Sequence, residues 1–396
     1  MDTLSVDVSK AIFAGCVVAF IGVGFAASFG LFLSPISNEL GWGREVFSLS
    51  VAIQMLCWGI AQPFAGAIAD RYGTARVLFA GCILAAFGFL IRSVVSDPTM
   101  FVLSGFFAGV GTGAISLPIV IVALCKVVPK ERRSFIMGLG TAVASIGMFA
   151  SAPASDFLIE MLGWRNALLV ISASYLAVLP FLGFIARVSK PTTGGGGLEH
   201  FKIALREAFS DRSYLCLFFG FFVCGFHVAF IQTHLPAYIT DLGVAAKTGA
   251  WALALIGLFN IAGSFIAGWI GQNHSMKYSL SGIYLLRSIV ISIFVLAPLS
   301  DFGIYLFAAV MGVLWLSTVP LTTGLIAQTQ GLKFLSTLAG LVFFSHQVGS
   351  FIGVWLGGSI FDASQSYALV WWIAVALGLF ATLIHLPIRE YRPAMA

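Results

Sequence analysis

Apolar runs of roughly twenty residues recur along almost the whole chain, and this pattern constrains the fold more than any motif does. A helix rising about 1.5 Å per residue needs about 20 residues to cross the ~30 Å hydrocarbon core of a bilayer. The runs lie near 12–34, 46–69, 75–94, 99–124, 133–157, 164–187, 213–238, 248–271, 277–298, 302–326, 335–360 and 366–388, with the stretch 302–360 the hardest to divide. A water-soluble fold could not cover them, because 59% of the 396 residues are hydrophobic and only 9% are charged, against about a quarter charged in soluble domains. Lipid as the solvent removes that conflict. In lipid every backbone polar group must be satisfied internally, which leaves helices or closed barrels, and the short alternating strands of a barrel are absent from this sequence. The expected fold is an all-α polytopic membrane protein with 12 transmembrane helices.

One segment interrupts the rhythm. Residues 187–212 read RVSKPTTGGGGLEHFKIALREAFSDR: a Pro, a Gly run and a short amphipathic stretch, the composition of a linker. It divides the chain into a six-helix bundle at 1–187, a cytoplasmic linker at 188–212 and a second six-helix bundle at 213–396. The halves also echo each other weakly. LGWGRE at 40–45 and LGVAAK at 242–247 stand 202 residues apart, as do Gly66 and Gly268, which a duplicated six-helix unit predicts.

The net charge of +5 is no sign of nucleic-acid binding, since the basic residues are scattered over short loops. Their sidedness is informative. Lys10, Arg71, Arg76, Lys126, Lys130, Arg132, Arg133, Arg187, Lys190, Lys202, Arg206, Arg212, Lys277, Lys333, Arg389 and Arg392 fall on one side, against Arg44, Arg92, Arg165 and Lys247 near the other. By the positive-inside rule, both termini and the linker are expected in the cytoplasm, and the location is expected to be the cell inner membrane. The first ten residues lack the basic region and cleavage site of a signal peptide. The six cysteines fall mostly inside apolar runs without CxxC spacing, so small buried residues are expected.

Between the second and third spans stands Gly66-Ala-Ile-Ala-Asp70-Arg71-Tyr-Gly73-Thr-Ala-Arg76. It resembles the G-x-x-x-D-R-x-G-x-x-R signature of the major facilitator superfamily. Gly66 would allow close helix packing, Gly73 a tight turn, and Asp70 could pair with Arg71, Arg76 or a neighbouring helix N-terminus. The resemblance implies a cytoplasmic latch, made in one state of the carrier and broken in the other. The corresponding loop of the second half, Gly268 to His274, has lost the acid–base pair. Phe29-Gly30, Glu39-Leu-Gly-Trp42-Gly-Arg44 and Gly163-Trp164-Arg165 further resemble the monocarboxylate and oxalate–formate porter branch. That branch carries a basic residue in span eight, where this sequence offers Asn260 and Ser264.

Ionisable groups at membrane depth are expensive and are candidates for function. Arg287 lies within span nine, a helix that the resemblance implies is peripheral, so it suits either a substrate carboxylate or a structural partner. His227 and His346 lie near the middles of spans seven and eleven, with Gln347 beside the latter. Each imidazole could bind an anion or relay a proton, or sit neutral in the core. Gln232 and His234 approach the outer end of span seven. In span ten, Trp315, Ser317 and Thr318 precede Pro320, and broken helices expose backbone groups that bind substrates. Gln54, Ser28, Ser104 and Thr112 are the polar choices of the first half. The candidate substrate-binding set is therefore Gln54, His227, Gln232, Asn260, Arg287, Trp315, Ser317, Thr318, His346 and Gln347.

No carboxylate lies in the middle of any span, so proton coupling would have to run through His227 or His346; otherwise the protein is a facilitator or anion exchanger. No Walker motif, metal-ligand spacing or catalytic triad order appears, so no cofactor, metal or enzyme activity is expected. The leading reading is a secondary transporter, expected to be a monomer, for a small organic anion, a monocarboxylate, working by rocking of two bundles. Its alternative is efflux of an amphipathic or aromatic compound. A receptor or scaffold would call for a signalling domain, which the sequence does not suggest.

Overall fold

The computed structural model describes residues 6–188, 206, 208–298, 300–331 and 335–390, so most of the expected linker lies outside the described residues. All regular structure described is helical. The first crossing joins α1 (Val6–Ser28), a 3-10 turn (Phe29–Phe32) and α2 (Leu33–Leu40). Then follow α3 (Arg44–Tyr72), α4 (Thr74–Val94), α5 (Pro98–Ala114), α6 (Leu117–Val127), α7 (Arg133–Ala177) and α8 (Leu182–Val188). The second half comprises α9 (Arg212–Asp241), α10 (Ala246–Asn273), α11 (Met276–Leu296), α12 (Asp301–Leu314), α13 (Thr318–Gln330), α14 (Leu335–Ser364) and α15 (Ala368–His385).

Local chemistry sets these ends. Asp97, Asp211, Ser275 and Ser300 each accept from a backbone N–H in the first turn of the helix they precede, satisfying a donor that has no intrahelical partner. Gly73, at φ 98°, makes the one-residue turn between α3 and α4, a conformation that a Cβ would oppose.

Phe135–Val188 is one apolar stretch of 54 residues, which as a straight helix would extend about 80 Å. It crosses twice. The backbone turns at Gly163, whose φ is 75° and ψ 160°. Trp164 and Arg165 bond Glu39 there, and Arg165 also bonds Ser93 O and Ser96. Phe181 and Phe184 return to Phe13 and Lys10 near the start of α1. With this reversal, the eleven long apolar stretches make twelve crossings. The division lies a few residues past the sequence-based boundary at 157, because the helix continues to Gly163 before turning.

The crossings form two six-helix bundles. One apolar core gathers Phe47, Phe89, Phe101 and Ile171 from the first half, and another gathers Tyr214, Phe230, Phe307 and Trp371 from the second. The duplication is visible in the helix starts: Arg44 and Ala246, and Thr74 and Met276, each lie 202 residues apart. Phe79, Phe87, Leu286, Ile293 and Leu383 are exposed, an arrangement that lipid favours and water does not.

The bundles meet along two seams, α3 with α14 and α7 with α10. On the first, Gly358 backs onto Ser48, and Gly59 onto Gln347 and Phe344. On the second, Trp251 packs on Phe149, Gly257 on Met148 and Phe149, and Asn260 bonds Ser145. Beyond these points the seams part. A Cβ built on Gly66, Gly138, Gly268 or Gly340, one on each seam helix, would meet nothing within 4 Å. The seams are thus packed towards the face carrying Arg44 and leave open space at these four glycines towards the face carrying Asp70.

Candidate functional site

The polar centre of the second bundle is built around the break in span ten. Between Leu314 and Thr318 the helix is interrupted, and the carbonyls of Leu314 and Trp315 turn away from the helical ladder. Arg287, fully buried on α11, donates Nη2 to both, at 2.6 Å to Leu314 O and closer still to Trp315 O. Its Nη1 reaches only the thiol of Cys224, at 3.5 Å, and its Nε has no partner. Cys224 is in turn 3.3 Å from Thr318 Oγ1, while Ser317 Oγ bonds back to Val313 O. Among the described residues no carboxylate is paired with Arg287. Carbonyl oxygens at the C-terminal end of α12 supply the negative potential instead, as helix C-termini do.

Asn260 holds the same break from another side. Its Oδ1 accepts from Leu316 N–H at 3.0 Å, and its Nδ2 donates to Ser145 Oγ of the first bundle, also at 3.0 Å. Where the porter branch has a cation, this chain has an amide that bridges the bundles.

His346 and Gln347 lie on the other seam. The His346 ring stacks on Phe343 with centroids 5.6 Å apart and packs against Phe221. Its Nδ1 lies 3.0 Å from Gln347 Oε1, and Gln347 Nε2 donates to Met55 O of the first bundle. Trp58 closes the same aromatic wall against Phe343. At 8% exposure His346 is the least enclosed of these polar groups.

The remaining candidates lie apart from this centre. His227 bonds the carbonyl of Ala374 on α15 at 2.7 Å and is fully buried. It sits between span seven and span twelve, as a core histidine does. Gln232 is half-buried, and its carbonyl backs onto Gly30 of the first crossing. Gln54 accepts from Arg92 Nη1 at 2.8 Å inside the first bundle.

That last contact exposes a role that the sequence did not suggest. Arg92, counted among the basic residues near the outer face, stands in the last turn of its helix and is fully buried there. Besides Gln54, it donates to Ser104 Oγ, Ser50 Oγ and Ser50 O, and its guanidinium lies 4.3 Å from the Phe29 ring centre. Span three ends at Val94, as the apolar run 75–94 indicates, and the long side chain near its end turns inward to the polar partners that the packing supplies. Cys224 was also missed, because a cysteine in an apolar run carries no signal until a cation is packed against it.

The two faces are held differently. On the Arg44 face, Arg44 grips Asp241 with two bonds of 2.6 Å and donates to Tyr367 Oη at 2.9 Å. Its guanidinium stacks 3.7 Å from the Phe361 ring centre. Asp362 caps α3 by accepting from Arg44 and Glu45 N–H at 2.8 Å, and Trp355 Nε1 bonds Glu45. All of these join the two bundles. On the opposite face, Asp70 pairs with Lys126 at 2.6 Å within the first bundle, not with Arg71 or Arg76. Arg71 lies over Tyr72, and Arg76 edges an apolar groove with Phe64, Ile68 and Val77. Gly66, expected to pack closely, faces open space in this state.

The arrangement offers cationic, imidazole, amide and hydroxyl donors without a competing carboxylate, which suits an anion more than a cation. Among the described residues no three His, Cys, Asp or Glu side chains are placed to hold a metal ion.

Comparison with known proteins agrees with this geometry. Residues 13–353 match the family model of the Major Facilitator Superfamily. An uncharacterized MFS-type transporter, YcxA, of Bacillus subtilis (strain 168) is 25% identical over 93% of this chain and 92% of its own. Monocarboxylate transporter 13 of Bos taurus is 24% identical over 97% of this chain and 89% of its own. Among solved structures, a bacterial homolog of the human lysosomal transporter Spinster, inward-facing and unoccupied, superposes with a TM-score of 0.77 at 12% identity. It covers 99% of this chain and 100% of its own.

Proposed function

Because the chain belongs to the Major Facilitator Superfamily, a family of transporters rather than enzymes, we propose that it is a secondary transporter for a small organic anion, a monocarboxylate. It works by rocking its two bundles (1–187 and 213–396) about a midplane site, with the stretch 188–212 as their cytoplasmic link. The observation that carries this reading is Arg287: a buried cation with no carboxylate partner among the described residues, held by two carbonyls and a thiol, and left with an unmet Nε donor. Such a charge inside a bilayer is costly unless it is used. The monocarboxylate transporters among the relatives support the choice of anion.

His346 adds a second anion partner, and proton coupling falls to it as the less enclosed of the two midspan histidines. The Asp70 face is the cytoplasmic one and the protein sits as a monomer in the cell inner membrane with both termini inside, in line with the basic loops. The test is uptake and exchange of labelled monocarboxylates by proteoliposomes, with and without an imposed pH gradient. Absence of both accumulation and exchange at every pH overturns the assignment. Export of an amphipathic or aromatic compound is the second reading, favoured by the aromatic wall of Trp58, Phe343, His346 and Phe221. Its signature would be binding of such compounds without exchange of small carboxylates.

A further inference from the structure

Five hydrogen bonds, joined through the backbone of the break in span ten, link the first bundle to the buried cation of the second. Ser145 Oγ on α7 accepts from Asn260 Nδ2 on α10. Asn260 Oδ1 accepts from Leu316 N–H inside the break of span ten. The carbonyls of Leu314 and Trp315, in the same break, hold Arg287 Nη2. Arg287 Nη1 ends the chain on Cys224 Sγ. Ser145 and Asn260 are both almost fully buried, at 2% and 1% exposure.

From this geometry we infer that Asn260 is a positioning residue for Arg287, which makes the hold on the cation depend on how the two bundles are seated. A side-chain amide has one acceptor oxygen and two N–H donors. Here the oxygen satisfies an N–H that the broken helix cannot satisfy itself, and a donor is met from across the seam. Ser145 belongs to the bundle that moves relative to α10 during alternating access. When the seam separates, the Asn260 donor loses its Ser145 acceptor and must find another. The amide then turns towards the carbonyls of the same break, whose Leu316 N–H it already holds. Arg287 loses part of its cage, and its guanidinium becomes free to receive an anion in one seating and is withheld in the other.

The inference rests on the alternating-access reading but not on the identity of the solute, so its test uses none. Cys224 reports on the end of the chain. Purified protein in detergent is treated with N-ethylmaleimide, and alkylation of each of the six cysteines is followed by peptide mass spectrometry. Loss of one buried hydrogen bond should raise Cys224 alkylation about fivefold in Asn260→Ala. Ser145→Ala, which touches neither Arg287 nor Cys224, should raise it in the same direction, and Ser145→Thr, which keeps the hydroxyl, should restore the parental rate. Should Asn260→Ala not fold, the two Ser145 variants alone decide. An unchanged Cys224 rate in Ser145→Ala overturns the inference. So does a parallel rise at all six cysteines, which would mean general loosening. Failure of monocarboxylate uptake would leave this result standing.

Discussion

Each half of the protein buries one arginine on its third helix, and the two have opposite surroundings. Arg92 is bonded through all three nitrogens: Gln54, Ser50 and Ser104 accept from it and the Phe29 ring covers its face, all within one bundle. Arg287 has two strong bonds, a weak one to sulfur and a donor left over. Among the described residues neither has a carboxylate partner. A charge engaged at all three of its nitrogens holds helices together; a charge with an unmet nitrogen, beside a broken helix and an amide that crosses the seam, can do more. Residue type and helix number were the same, and only the neighbours differ.

Replacing both arginines would break or sharpen this contrast, and the largest effect is expected at Arg92. Arg92→Leu leaves Gln54 Oε1 unmet in the core and removes the charge-assisted bonds to Ser50 and Ser104, whose hydroxyls keep Phe101 O, and should cost about 3 kcal/mol of stability, read as a thermal shift in detergent. Arg287→Leu should cost clearly less stability yet weaken anion binding at least about tenfold. If the two variants unfold alike and anion binding survives in Arg287→Leu, both arginines are structural.

The next effect concerns the faces. Asp241→Asn removes a charge-assisted, bidentate contact between the bundles and should shift the balance by about 2 kcal/mol towards opening at the Arg44 face. Spin labels at Gly138→Cys and Gly268→Cys, two positions facing open space, would report it as a shortened distance across the Asp70 face. An unchanged distance distribution would mean that the Arg44 cluster is not a gate.

A smaller effect is expected at His346. His346→Ala should weaken anion binding about fivefold and make it less dependent on pH. Binding that keeps its pH profile would assign His346 to the core with His227. The smallest change belongs to Asp70→Asn. Its pair with Lys126 is exposed and contributes little, so folding should be nearly untouched while turnover slows. Equal turnover in variant and parent would remove the latch from the mechanism.

Much of the fold was readable from the chain because hydropathy against lipid is a local property. Twelve apolar runs, the Gly-rich interruption and the 202-residue offset all follow from residues near one another in sequence. The polar candidates were legible only as a list. His227 and His346 look alike in a sequence, yet one is bonded to Ala374 O while the other stacks on Phe343 beside the opposite bundle. Gln54 looked like a cavity residue until Arg92 was found against it.

The sequence by itself therefore determined that this protein crosses a membrane in two related halves and which few side chains are costly there. Tertiary structure alone decided how those side chains are spent. It brought Arg44 to Asp241 across 197 residues, Asn260 to Ser145 across 115, and Arg287 to the open carbonyls of span ten. The reason is physical: burial in lipid is scored residue by residue along a helix, whereas satisfaction of a buried donor depends on which distant acceptors the packing delivers to it.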